Sequence, residues 1–136
     1  MPHLKTIAKY TALGGAFTGA VTAGVLEETP AVPSGNEIYL QEILFETRND
    51  QSRVFRLRYV MPMIRHGLEF HEIEEDFLYL CAGVAVPYLA KENEKVDQVI
   101  ISIGDRETEF GVLATLATQY FEAFSVKNNT CIWEGF

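Results

Sequence analysis

Between residues 37 and 61 the apolar positions fall into two runs separated by a polar break. Ile38, Tyr39, Leu40, Ile43, Leu44 and Phe45 lie in Glu37 to Thr47, Arg48-Asn49-Asp50-Gln51-Ser52 interrupts them, and Arg53 to Met61 follows with alternation from Phe55 to Tyr59. Phe55, Leu57 and Tyr59 share one side of that second run and Arg56 and Arg58 the other. Period-two alternation around a turn-forming pentapeptide predicts a β-hairpin with one buried and one solvated face.

The period then changes. Phe70, Ile73, Phe77, Leu80, Val84 and Tyr88 recur at three and four residues, and Glu72, Glu74, Glu75 and Asp76 crowd the first turns, where the helix dipole favours acids. This is an amphipathic helix with Cys81 beside its core stripe. Pro87 has no N–H to donate, so a kink or restart is expected near Val86. Val99, Ile101 and Ile103 alternate with Ile100 and Ser102 in a short apolar run that Gly104-Asp105-Arg106 ends, the pattern of a buried strand. Gln119 to Val126 and Thr130 to Glu134 flank Lys127-Asn128-Asn129, and the tolerance of Asn for positive φ makes that a hairpin turn. The order strand, strand, helix, strand, strand, strand lacks βαβ repetition. It predicts an α+β domain: a mostly antiparallel sheet of about five strands, with one main amphipathic helix on one face.

The first 26 residues differ from all of this. They hold Lys5 and Lys9 and no acid, and Thr11 to Leu26 is uncharged until Glu27 and Glu28 end the run. Positive, then apolar, then acidic is the order of a secretory signal. Cleavage is expected after Ala23, with Ala20 as second choice. The run is shorter than the roughly 20 residues that span a bilayer core. Its small residues recur every four positions (Gly15, Gly19, Ala23), which keeps an uncleaved N-terminal membrane anchor as the alternative. Thr29 to Asn36, with Pro30 and Pro33, reads as an extended linker. The expected division is therefore 1–26 signal or anchor, 27–36 linker and 37–136 one domain.

Composition narrows the partners. The chain has 136 residues and a net charge of -8, and from Glu27 onward 19 acids face nine Lys and Arg. Such a chain repels phosphate backbones and anionic lipid heads, which argues against nucleic acid and leaves membrane contact only to the N-terminal segment. Cys81 and Cys131 are the only cysteines, and an even count in a chain that carries an export signal predicts one disulfide.

Three groups could carry chemistry. Asp105, Arg106, Glu107, Thr108 and Glu109 follow the apolar strand directly, where scaffolds present functional loops, and could bind a zwitterion or a cation or be a solvated turn. His66, Glu69, His71 and Glu72 have ligand chemistry for a divalent ion, but the two histidines are five apart, which does not set them on one helical face. No metal or cofactor is assigned to them. Arg53, Arg56 and Arg58 could take an anion, or pair with Glu42 and Glu46 across the hairpin. Trp133, two residues after a disulfide cysteine, is expected in the core, with a docking role for the tail as the other reading. No GxSxG, GxxxxGK[ST] or helix-opening GxGxxG occurs.

The stretches Pro33-Ser34-Gly35, Arg56-Leu57-Arg58-Tyr59-Val60-Met61-Pro62, Asp97 to Ser102, Asp105 to Gly111 and Cys131-Ile132-Trp133-Glu134-Gly135-Phe136 resemble a family of short exported alphaproteobacterial proteins of unknown function. The resemblance covers Pro33 to the C-terminus. It implies a signal segment, a cysteine in the helix and a cysteine in the last strand, and no activity. The acetolactate synthase label on some members does not suit this chain, since that reaction needs a thiamine diphosphate site and a much longer polypeptide. The functional expectation is a periplasmic or secreted binding or interaction module for an unidentified protein or small molecule. The alternatives are a small hydrolase or lyase using the acids of Asp105 to Glu109, and an accessory subunit of a membrane complex held by the N-terminal segment.

Overall fold

The computed structural model describes Lys5–Thr6 and residues 26–135. The expected signal or anchor, with its cleavage sites, otherwise lies outside the described residues. Strands β1 (Lys5–Thr6), β2 (Tyr39–Thr47), β3 (Arg53–Val60), β4 (Gln98–Gly104), β5 (Gln119–Lys127) and β6 (Thr130–Trp133) form one sheet in sequence order. The five expected strands are β2 to β6, and β1 adds two residues at the β2 edge, pairing Lys5 with Phe45 and Thr6 with Leu44. Every neighbouring pair is antiparallel except β3 and β4, which run parallel in unbroken register from Val54–Gln98 to Val60–Gly104. A parallel pair needs a long crossover. Here the crossover carries the helices.

That crossover begins with a 3-10 turn (Pro62–His66) ended by Gly67 at φ 96°. Helix α1 (Phe70–Tyr79) follows, then a π-helical segment (Leu80–Ala85) and α2 (Val86–Lys91). The break falls where Pro87 required it, because a proline is tolerated in the first turn of α2 but not inside a continuous α-helix. In the π turn, Val86 N–H reaches back to the Cys81 carbonyl. Leu80, Cys81, Val84 and Ala85 of this segment are all buried.

The core lies between these helices and one face of the sheet. Ile73, Phe77, Leu80 and Val84 meet Ile43, Phe55, Leu57, Val99, Ile101, Ile103 and Phe124. Phe55 stacks between Phe45 and Tyr88, at centroid distances of 4.6 and 5.7 Å. Cys81 and Cys131 are disulfide-bonded, tying the π segment to β6. The turn at Asn128 and Asn129 has φ of 52° and 59°, the pair of left-handed residues that a two-residue hairpin requires.

Three expectations need correction. The segment 27–36 is extended but is no free linker: Leu26 and Val32 belong to the core, Leu40 N–H bonds the Glu28 carbonyl at 2.7 Å, and Ser34 is hydrogen-bonded to Asp76. The packed body reaches back to Leu26, upstream of the expected start at Glu37. The arginine face of the β2–β3 hairpin is not open to solvent either, since Arg58 is only 6% exposed. Trp133 is not a core residue. It is 60% exposed, on an edge strand.

Candidate functional site

The face of the sheet that no helix covers among the described residues begins with the hairpin. Arg56 stands opposite Leu44 and Arg58 opposite Glu42 in register, and the guanidinium groups pair with Glu46 and Glu42 respectively. This is the cross-hairpin pairing open to them in the sequence. Arg53 behaves differently, binding Glu94 and the Lys95 carbonyl in the segment that leads into β4.

The loop 105–118 covers this face. Asp105 closes its base: Asp105 N–H donates to the Thr118 carbonyl at 2.9 Å, and Thr118 N–H donates to Asp105 Oδ1 at 3.3 Å. Arg106 grips the same carboxylate through Nε and Nη2, both at 3.0 Å, and Arg65 donates to the Asp105 carbonyl. The hydrogen bonds from Arg106 hold the Asp105 carboxyl below the usual carboxylate value, against the upward push of burial, with Thr118 N–H and the charges of Arg106 and Arg65 adding to the lowering.

Further along, Tyr39 donates its hydroxyl to Glu107 at 3.0 Å, and burial, followed by the hydrogen bond and charge of Glu107, raises the phenol above its ordinary value. Thr108 is the loop's central anchor. Its Oγ1 accepts from Arg58 Nη2 and Gln119 Nε2, both at 2.8 Å, and its carbonyl accepts from Gln41. Gln41 can do this because it is the extra residue of a β-bulge between Leu40 and Glu42, which re-aims a side chain out of the ladder. Phe110 then lies under both arginines, 5.1 Å from Arg56 and 5.5 Å from Arg58. A cavity of about 110 Å³ remains beside it, lined among others by Arg56, Arg58, Ser102, Glu109, Val112 and Phe121.

The sequence candidates Asp105, Arg106, Glu107, Glu109, Arg56 and Arg58 are thus gathered into one region, and the loop's acids do not converge on a single point. Asp105 serves the loop base, Glu107 serves Tyr39, and Glu109 is exposed at the cavity rim. Glu69 and Glu72 form a capping box at the start of α1, with Glu69 N–H donating to Glu72 at 2.9 Å, while His71 sits exposed beside Glu69. Among the described residues no group of three or more His, Cys, Asp or Glu is placed to hold a metal ion.

Sequence reasoning passed over the outer half of the loop. Val112, Leu113 and Leu116 are 56%, 86% and 81% exposed, and Phe121 on β5, which shares the cavity with Val112, is 50% exposed. A signal was present: Gly111 to Thr118 is apolar-rich yet follows neither a helical nor a strand period, so its large side chains had no core to enter.

Among the described residues no helix is long and apolar enough to cross a membrane. Comparison with curated proteins and with solved structures gives no match. A family model does match, over residues 14–136, and the chain therefore belongs to the family of unknown function DUF6497.

Proposed function

We propose that this chain is a protein-interaction module working outside the reducing cytoplasm, and that the outer side of the loop 105–118 receives its partner. The observation that carries this reading is the placement of Val112, Leu113 and Leu116 in water on a loop whose base is fixed by Asp105, Arg106, Thr108 and Arg58. Contiguous exposed apolar side chains on a firmly held loop support a recognition surface. The disulfide agrees with an oxidising compartment such as the periplasm.

The geometry favours binding over acid chemistry at Asp105 to Glu109. The one buried carboxylate of the group is saturated by Arg106 and Thr118, and a general acid or base must reach substrate. Photo-crosslinking residues placed at Leu113 and Leu116 in the native cell, with one at exposed Glu74 on α1 as control, test the surface. The expectation is a discrete adduct from the two loop positions and none from Glu74. Adducts from all three alike, or from none, would remove the loop from consideration.

A further inference from the structure

The β6 edge is a second surface, independent of the loop, and we infer that it pairs with β6 of a second copy of this chain. Glu134 N–H donates inward to the Ala123 carbonyl at 3.0 Å. Hydrogen-bonding direction alternates along a strand, so Thr130 and Ile132 also bond inward to β5, and the N–H and C=O groups of Cys131 and Trp133 point away from the sheet. Among the described residues these ladder groups have no strand partner, and β6 is an outer strand. Thr130 to Trp133 is short, four residues, but it carries no charge, no proline and no bulge to turn a partner strand away. It offers exposed Ile132 (47%) and Trp133 (60%) instead.

The occupant is specified by symmetry and charge. Two β6 strands running antiparallel about a two-fold axis at Ile132 bring Cys131 opposite Trp133 of the other copy, so the outward-pointing groups meet as hydrogen-bonded pairs. Ile132 then faces its own equivalent across a non-hydrogen-bonded position, where cross-strand side chains come closest. In the same register Thr130 stands beside the second copy's Glu134. Thr130 pairs with Lys127 on β5, and Glu134 accepts from Ser125 Oγ at 2.7 Å. Lys127 and Ser125 are two apart on β5, so lysine and glutamate lie on the same sheet face, at opposite ends of the edge. Antiparallel pairing brings each lysine toward the other copy's glutamate, twice. Gly135, at φ 65°, turns the chain away just beyond Glu134 and limits the seam to this short segment.

The test is the mass in solution of the disulfide-bonded full chain by sedimentation across a concentration series. The expected result is a mass moving toward twice that of one chain as concentration rises. Ile132→Lys, which sets two like charges on the axis, should hold it at one chain. Lys127→Glu should weaken association tenfold or more, and Lys127→Glu combined with Glu134→Lys should recover it. Ile132→Cys should give a covalent dimer on mild oxidation, with circular dichroism and an intact Cys81–Cys131 bond confirming that each variant is folded. A wild-type chain that stays single at every concentration overturns the inference, as does a dimer indifferent to Ile132→Lys or a folded Ile132→Cys chain that does not cross-link.

Discussion

Asp76 is fully buried, and Ser34 meets both of its carboxylate oxygens, the backbone N–H at 2.8 Å and the hydroxyl at 2.6 Å. A carboxylate taken out of water needs such partners. This one contact pins the 26–36 segment to α1. Ser34→Ala should cost about 1–3 kcal/mol, because an oxygen of a buried acid loses a donor that water cannot replace; urea unfolding measures it, and a change near zero would mean that the backbone N–H of residue 34 and the packing of Leu26 and Val32 hold the segment without the hydroxyl. Asp105 makes a pH-dependent contribution of known sign. Its carboxyl is depressed chiefly by Arg106, so the folded value lies below the unfolded one. The stabilisation is complete above the ordinary carboxylate value and is lost as pH falls through the folded value. Urea midpoints taken from neutral to acid pH should therefore fall less steeply for Asp105→Asn than for the parent, and equal slopes would place the acid sensitivity elsewhere. Neither role could be read from the sequence. Asp76 looked like one more acid in the first turns of a helix, and Asp105 like a solvated turn residue, because burial depends on what arrives from far along the chain: Ser34 in one case and Thr118 in the other.

The elements were far more legible. Polar Arg48 to Ser52, Pro87 and the paired asparagines each act on their own neighbours, and the β2–β3 turn, the restart at Val86 and the last hairpin all sit where those residues place them. What local pattern could not show was the second covering of the sheet. Arg56 and Arg58 alternate with apolar residues just as a solvated face does, and only the return of Thr108 and Phe110 over them makes that face an interior one. The π segment is a similar case. It is a response to Pro87, and it sets Cys81 toward the sheet at the level of Cys131. With the cysteines 50 positions apart, the bond limits the unfolded chain by about 4 kcal/mol on the loop-entropy model. Reduction should lower the unfolding free energy by about 2–4 kcal/mol. Because β6 has β5 as its one strand neighbour among the described residues and is otherwise tied by the disulfide, amide exchange in Thr130 to Trp133 should accelerate more on reduction than in β3 or β4. A uniform increase across the sheet would contradict that.

At the scale of the whole molecule the sheet has two halves of different character. β2–β3 and β5–β6 close through short turns, and β4 joins β5 through the anchored loop, so each half is stitched by contacts near in sequence. The expected antiparallel sheet holds for these pairs. The parallel step was illegible, because alternation in Arg53 to Met61 and in Val99 to Ile103 tells which side chains are buried and says nothing of which strands adjoin. The β3–β4 seam has a consequence in time. Its partners meet only after the chain from Met61 to Asp97 has folded back, so seam formation should limit the folding rate. Ile101→Val, at the seam, should slow refolding, while Phe45→Leu, on the outer side of the first hairpin, should mainly hasten unfolding; stopped-flow chevrons separate the two. Until the seam shuts, two half-sheets wait with unsatisfied inner margins, and that waiting period is when a crowded compartment would find this chain most prone to aggregate.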